Sequence, residues 1–75
     1  MRVIYYPDVD ILDIVLKEGP VSESDELCEG VIADYDTEGH LIGLEVLDAS
    51  ERVTEPQNLV FESRGHASLT PRRGR

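Results

Sequence analysis

The fold is decided by the stretch from Gly30 to Ser50, GVIADYDTEGHLIGLEVLDAS, in which two apolar runs flank an acidic segment. Both runs are rich in β-branched and aliphatic residues, which favour strands. Thr37 and Glu38 suit the centre of a type I turn, and Gly39 suits the left-handed position that follows it. The pattern therefore predicts a β-hairpin with strands over residues 27–35 and 40–47.

A three-residue loop in this turn predicts the register of the hairpin, starting with Asp36 opposite His40. The pairs expected on one side of the ribbon are Asp34–Ile42, Ile32–Leu44 and Gly30–Val46, and on the other Tyr35–Leu41, Ala33–Gly43 and Val31–Glu45. In this register both faces are substantially apolar. A sheet with one solvated face would instead alternate cleanly, so we expect a further element or a second copy of the chain to cover the second face.

The rest of the chain supplies shorter elements. Residues 2–6 and 10–16 read as two further strands, joined by a Pro7-Asp8 turn, and residues 17–26 read as a loop rich in Gly, Pro, Ser and acids. Asp48 and Glu51 form a potential capping box for one helical turn that ends near Thr54, before Pro56. We predict a fifth strand over 58–62, where a short helix is the alternative.

These elements predict a mainly β fold, with α+β as an alternative. The expected architecture is an antiparallel meander of four to five strands with one short helical turn, in a single domain over residues 1–62. The last thirteen residues, 63–75, form an Arg-rich C-terminal tail. A domain of this size buries a small core, and Cys28, as the one cysteine, offers no intrachain disulfide to reinforce it.

Composition also narrows the class of protein. The N-terminus lacks the apolar run of a secretory signal, and no segment approaches the roughly 20 apolar residues of a membrane span. We therefore expect a soluble cytoplasmic protein with no membrane association. Residues 1–62 carry three basic residues against sixteen acids, a net charge of −13, which disfavours nucleic acid and favours a basic protein partner. The four arginines of the tail could pair with acidic groups.

The acidic turn resembles a calcium-binding loop in its spacing. Asp34, Asp36, Glu38, Gly39 and Glu45 match an EF-hand template at all but one prescribed position, the fifth, which Glu38 occupies. That loop normally lies between two helices, and the flanks here are strand-like, so Glu45 would lie far along the return strand. The sequence therefore favours an ordinary acidic turn, with weak divalent-cation binding by Asp34, Asp36 and Glu38 as the alternative.

Asp36 and His40 also form a potential acid–base pair. A hairpin tip lacks the concavity and water exclusion that catalysis requires, and the sequence contains neither a nucleophile elbow nor a phosphate-binding glycine loop. We expect a cross-strand charge pair and no enzyme activity, with a small hydrolase as the alternative. No cofactor is expected.

Interface residues are predicted from the exposed apolar and aromatic positions of the ribbon. Gly43 opposite Ala33 would leave a bare patch that another backbone or ring could approach, and tyrosine is enriched at interfaces. The residues expected at an interface are Tyr5, Tyr35, Leu41, Gly43 and Leu47. For the tyrosines, a role in the core is an equal alternative.

Three motifs together resemble one family. They are Tyr5-Tyr6-Pro7 with Asp10 and Leu12, the segment from Val31 to Asp36 with Gly39, and Gly43 to Leu47 with Ala49-Ser50. This combination is similar to the small prokaryotic family known as domain of unknown function 2283, over residues 1 to about 53. Tyr6 stands where many relatives have Asp. The resemblance implies a β-rich fold and no established activity, and members are suspected of belonging to toxin–antitoxin-like pairs.

The function that these observations favour is that of a non-enzymatic interaction module. It would form a homodimer through one sheet face and could bind a basic partner in an antitoxin-like manner. The divalent-cation site and the small hydrolase are the alternatives.

Overall fold

The central hairpin forms as the sequence predicts, between β4 (Val31–Tyr35) and β5 (Leu41–Leu47). The structure is a computed structural model that describes residues 1–65. At the turn, the Gly39 amide donates to the Asp36 carbonyl and the Asp36 amide donates to the His40 carbonyl, both at 3.0 Å. Gly39 has a φ of 85°, which a residue with a Cβ adopts only at a cost. The predicted turn and its glycine are confirmed.

The remaining strands extend this hairpin on both sides. They are β1 (Arg2–Tyr6), β2 (Ile11–Val15) and β3 (Glu23–Cys28), and the order across the sheet is β1-β2-β5-β4-β3 with every neighbouring pair antiparallel. The prediction of a mainly β antiparallel sheet with one short helical turn is confirmed. Strands β3, β4 and β5 follow one another as a meander, whereas β2 joins the sheet beside β5.

The connection from β2 to β3 crosses one end of the sheet, because these strands lie on opposite sides of the β4–β5 pair. The amides of Leu16 and Lys17 donate to the Ile42 carbonyl at 2.9 and 3.2 Å. The Ser22 amide donates to the Tyr35 carbonyl at 2.7 Å. These bonds attach both ends of the connection to the central hairpin.

Strand β3 is the main error of the sequence prediction, which assigned residues 17–26 to a loop and 27–35 to one strand. The residues Glu23–Cys28 have low strand propensity, and all six are exposed. Their backbone nevertheless pairs with β4, whose hydrogen-bonding groups would otherwise form an open edge. The predicted single strand is interrupted at Gly30, whose φ of 82° turns the chain from β3 into β4.

The predicted register is correct only at the tip. Tyr35 pairs with Leu41, but an irregularity follows, and Asp34 pairs with Gly43 instead of Ile42. Because successive strand residues point to opposite faces, one extra residue in β5 moves every later β5 side chain to the other face. The later pairs are Ala33–Leu44, Ile32–Glu45 and Val31–Val46.

The short helix α1 (Ala49–Arg52) follows β5 directly, as predicted, but its predicted capping box is wrong. Asp48 has a φ of 52° and makes no side-chain capping bond. The cap comes from Asp10 in the β1–β2 turn, whose carboxylate accepts the Ser50 amide at 2.9 Å and the Ser50 hydroxyl at 2.7 Å. The Asp10 carbonyl accepts the Ala49 amide at 2.9 Å. The same carboxylate accepts the Tyr5 hydroxyl at 2.7 Å, so one side chain joins β1 to α1.

These bonds favour the charged form of Asp10. The hydrogen bonds from the Ser50 and Tyr5 hydroxyls hold the pKa of Asp10 below its usual range, and the Ser50 amide adds to the effect. The bond to Asp10 in turn raises the pKa of Tyr5.

Beyond α1, the predicted strand at 58–62 is wrong, because these residues form no strand ladder or helix in the described chain. A turn precedes them, with the Asn58 amide bonded to the Glu55 carbonyl at 2.8 Å. Most of the predicted tail, 63–75, lies outside the described residues. Residues 1–65 contain no helix that is both long enough and apolar enough to span a bilayer.

The cap from Asp10 leads to a first prediction. Asp10 and Asp48 both have positive φ values, which asparagine tolerates well, so Asp10→Asn and Asp48→Asn form a matched pair. Asp10→Asn places an amide group against three donors and removes the charge, so we expect a lower urea midpoint of unfolding. Asp48→Asn should leave the midpoint close to that of the wild type. Equal effects of the two substitutions, measured by circular dichroism, would contradict the remote cap.

Candidate functional site

The register divides the side chains of the sheet into two chemically different faces. One, which we call the apolar face, carries no charged residue on β1, β2, β4 or β5. Its members, taken from the paired strands, are Val3, Tyr5, Leu12, Ile14, Val31, Ala33, Tyr35, Leu41, Leu44 and Val46. Among the paired strand residues, the charged side chains on this side belong to the edge strand β3, where Glu23 pairs with Tyr35 and Asp25 pairs with Ala33. The prediction that both faces are substantially apolar therefore describes this face, whereas acids interrupt the apolar residues of the other.

No helix or strand among residues 1–65 covers the apolar face, although residues 55–58 line a cavity with Tyr5 at one end of it. Appreciable contacts between elements join only neighbouring strands of the sheet, and α1 does not pack across the face. Ala33 is fully buried within the sheet, but no large side chain of the described chain is completely buried. A single sheet of this kind lacks the second layer that normally encloses a hydrophobic core.

The opposite side, which we call the carboxylate face, combines apolar residues with a cluster of acids. Asp13 of β2 is the direct partner of Glu45 of β5, and Asp34 of β4 pairs with the neighbouring Gly43. Because Gly43 has no side chain, the Asp34 carboxylate occupies the space above it, and an added Cβ would lie 3.6 Å from Asp34 Oδ2. Three carboxyl groups from three adjacent strands thus converge on one side of the sheet.

A cavity of about 220 Å³ lies over this cluster. It is closed at one end by the β2–β3 connection, and two cations, Arg2 and Lys17, contribute to its lining. Arg2 is already paired with Glu18, with Nε 2.9 Å from Oε2. The cavity therefore holds more acidic than basic groups.

Asp34 is the most buried of the three acids, with 5% of its surface exposed. Its Oδ1 accepts the Ser24 hydroxyl at 2.6 Å, so the edge strand β3 contributes directly to the cluster. All buried polar side-chain atoms of the described residues have a hydrogen-bond partner. The cluster is thus internally satisfied.

Glu45 resolves the repulsion in this cluster by retaining a proton near neutral pH. A hydrogen bond to Asp34 raises the pKa of Glu45 to about 7, with further contributions from burial and from the charges of Asp34 and Asp13. The protonated Glu45 can donate to Asp34, whereas two ionised carboxylates would repel each other. The pair therefore behaves as one proton-binding unit.

Two of the residues predicted to bind a divalent cation, Asp34 and Asp36, form hydrogen bonds within the chain. Asp34 belongs to the carboxylate cluster, while Asp36 Oδ1 accepts the amides of Glu38 and His40 at 2.9 and 2.8 Å. These amides hold the pKa of Asp36 below its usual range, the His40 amide most strongly. Within residues 1–65, no group of three or more His, Cys, Asp or Glu side chains is arranged to hold a metal ion.

Asp36 and His40 do come together, with His40 Nδ1 3.4 Å from Asp36 Oδ2. The His40 side chain is 60% exposed, and its Nδ1 lies 3.6 Å from Oε1 of the still more exposed Glu38. Acid–base catalysis benefits from water exclusion, which this tip does not provide. The arrangement is that of a turn stabilised by an Asp side chain.

The residues predicted for an interface are divided between the two faces. Tyr5, Tyr35 and Leu41 belong to the apolar face, whereas Gly43 and Leu47 lie on the carboxylate face. The irregularity in β5 separates the last two from the other three, and an interface at any of these residues stays a prediction. The free Cys28 is exposed near the β3–β4 turn.

Sequence reasoning missed Asp13, Glu45 and Ser24 as members of one cluster. The sequence does mark two of them as unusual, because Asp13 and Glu45 are the single charged residues in otherwise uncharged strands. Their pairing requires β2 to lie beside β5, which is a non-local contact.

The Glu45 proton predicts how stability depends on pH. Between about 4.5 and about 7 the folded chain keeps this proton and the unfolded chain releases it, so the free energy of unfolding should fall as pH rises. Glu45→Gln should remove this slope, because the amide donates a hydrogen bond at every pH. Glu51→Gln, at an exposed acid on α1, is the control. Urea titrations between pH 4.5 and 7 that show the same slope in wild type and Glu45→Gln would contradict the shared proton.

Comparison with known proteins places the chain in a family. No curated protein and no solved structure matches it. The sequence profile of one family, described as "Protein of unknown function (DUF2283)", matches residues 2–50, which include all five strands and the Asp10–Ser50 cap. The match covers most of the chain and confirms the resemblance noted from its motifs. The chain therefore belongs to the DUF2283 family of proteins of unknown function.

Proposed function

We propose that the protein is a non-enzymatic interaction module that forms a homodimer through its apolar face. The observation that carries this proposal is the charge-free surface on four adjacent strands, which no described element covers. A second copy is a suitable cover because it presents the same apolar surface. Two such sheets would pack face to face at about 10 Å, as in a β-sandwich.

The size of the face supports a dimer of moderate affinity. The four strands of the charge-free surface, about 4.8 Å apart and each spanning roughly 17 Å, give a plan area of about 330 Å² per copy. Such an interface lies at the small end of specific protein–protein contacts. We expect a weak dimer with a dissociation constant in the micromolar range, which corresponds to about 8 kcal/mol.

The distribution of charge supports the same arrangement. Specific interfaces have an apolar centre and a polar rim. The acids Glu23 and Asp25 lie on the edge strand β3, at the rim of the apolar face, and leave its centre uncharged. In a dimer the two acidic edges would remain in contact with solvent.

Adjacent residues of β2 provide a direct test of this dimer. Ile14 belongs to the apolar face and Val15 to the carboxylate face, and both are half-buried. Ile14→Lys should shift sedimentation toward the monomer between 1 and 100 µM, because it would bury an ammonium group in the interface. Val15→Lys adds the same charge on the other side and should leave the dimer intact.

Circular dichroism of both variants separates loss of the dimer from loss of the fold. A wild-type protein that is monomeric at 100 µM would overturn the proposal. A folded Ile14→Lys variant that dimerises as strongly as Val15→Lys would overturn the choice of face.

A second function is favoured by the acidic edge of the sheet. All six residues of β3 are exposed, and three of them, Glu23, Asp25 and Glu26, are acids. With a net charge of −13 over residues 1–62, this edge favours a basic protein partner. An antitoxin-like role, in which the acidic module neutralises a basic protein, would use this surface. We further propose that the module acts in the cytoplasm.

Charge reversal tests the location of this partner site. The pair Glu23→Lys and Glu26→Lys alters β3, and the pair Asp8→Lys and Glu38→Lys makes the same change of net charge at exposed positions elsewhere. Partners captured from a native host lysate at low salt should be lost with the β3 pair and retained with the control pair. Equal loss with both pairs would indicate a non-specific effect of charge.

A further inference from the structure

An exposed apolar stretch lies beyond α1, outside the sheet. We call residues 58–62, Asn-Leu-Val-Phe-Glu, the C-terminal arm. Its three apolar side chains, Leu59, Val60 and Phe61, are 66%, 73% and 75% exposed. The arm forms no regular structure in the single chain, although its sequence is rich in residues that favour strands.

The arm begins beside β1. Residues 55–58 and Tyr5 together line a cavity of about 410 Å³. The chain therefore enters the arm close to the C-terminal end of the outermost strand on that side.

The two edges of the sheet differ in how they are protected. Edge strand β3 carries three exposed acids, a common device that prevents further strand pairing. Edge strand β1, Arg-Val-Ile-Tyr-Tyr, contains no acid and consists mainly of β-branched and aromatic residues. Among residues 1–65, β1 pairs on one side only, with β2. This edge is therefore open to an added strand.

We propose that the C-terminal arm of one copy pairs antiparallel with β1 of a second copy, as a sixth strand. This inference rests on the self-association proposed above and names the segment that the second copy contributes. Both segments contain five residues, so the pairing can run over the full length of β1. Such addition of an extended segment to a sheet edge is a common mode of recognition.

Side-chain chemistry supports one register for this pairing. With Asn58 opposite Tyr6, the remaining pairs are Leu59–Tyr5, Val60–Ile4, Phe61–Val3 and Glu62–Arg2. Leu59 and Phe61 would then extend the apolar face beyond Tyr5 and Val3. Glu62 would lie opposite Arg2 as an attractive cross-strand pair, in place of the present pairs Arg2–Glu18 and Glu62–Arg64. The acids of β3 would repel the same Glu62 at the other edge.

Pairing between copies accounts for the exposed arm better than pairing within one copy. In the single chain the arm starts next to β1 and still leaves that edge unpaired. Exchange of arms about a twofold axis fills both open edges at once, and such exchange is a low-cost route to a dimer.

Disulfide trapping in the full chain tests this proposal. Two single-cysteine proteins, Ile4→Cys and Val60→Cys, would be prepared with different affinity tags and with Cys28→Ser in each. In the proposed register these positions are directly opposed, at a separation that a disulfide can span. Mixing and oxidation should produce the mixed disulfide at least ten times faster than the control mixture of Asp25→Cys and Val60→Cys.

A double variant, Ile4→Cys with Val60→Cys, distinguishes pairing within one chain. An intramolecular disulfide in the dilute double variant, with no mixed disulfide from the single variants, would overturn the exchange of arms. A mixed disulfide no faster than the control would also overturn it. Sedimentation of the reduced samples separates the two proposals: a dimer without specific trapping refutes the arm alone, whereas a monomer refutes the dimer as well.

Discussion

The arrangement of this protein depends on one extra residue in the central hairpin. Because β5 gains a residue opposite the Asp34–Tyr35 step, Leu44 and Val46 lie on the same side as Ala33 and Val31. Without that residue the same side chains would face the acids of the cluster, and each face would mix apolar and charged groups. The irregularity lies next to the turn and disturbs the strand pairing only there. It nevertheless decides which face each later side chain of β5 occupies, and so which β5 residues lie beside those of β2. It is what creates a charge-free surface in a strongly acidic chain.

The sheet places the acidic side chains of its inner strands on one face. On the carboxylate face, Ser24 donates to Asp34, and a hydrogen bond to Asp34 favours the protonated form of Glu45. The opposite surface is left uncovered in the single chain, and a domain of this size has few other apolar contacts with which to offset the conformational entropy of folding. Association of copies would provide the missing layer. Burial of this face in a dimer would then both stabilise the single-layer sheet and hold the copies together.

Several residues of the family motif have a structural role, because they connect the β1–β2 turn to α1. Ser50 is far from Tyr5 and Asp10 in the sequence, yet the Asp10 carboxylate accepts hydrogen bonds from both other residues. Arg52 is part of the same corner, since its Nε donates to the Leu47 carbonyl at 3.0 Å and its guanidinium lies against Gly30. A side chain at Gly30 would collide with that group. These residues hold the ends of the sheet together, so their pattern has a structural explanation.

The sequence by itself determined the features that depend on neighbouring residues. These include four of the strands, the turn at Gly39, the short helix after β5 and the acidic character of the body, because strand propensity, turn geometry and charge are local properties. Only the tertiary structure decided the pairing of β2 with β5, the recruitment of Glu23–Cys28 as an edge strand and the cap that Asp10 provides for α1. Each of these depends on partners distant in the chain. The composition of the two faces depends on both sequence and tertiary structure. Alternation along each strand divides its side chains into two sets, and the extra residue in β5 decides which set of β5 lies beside which set of β4.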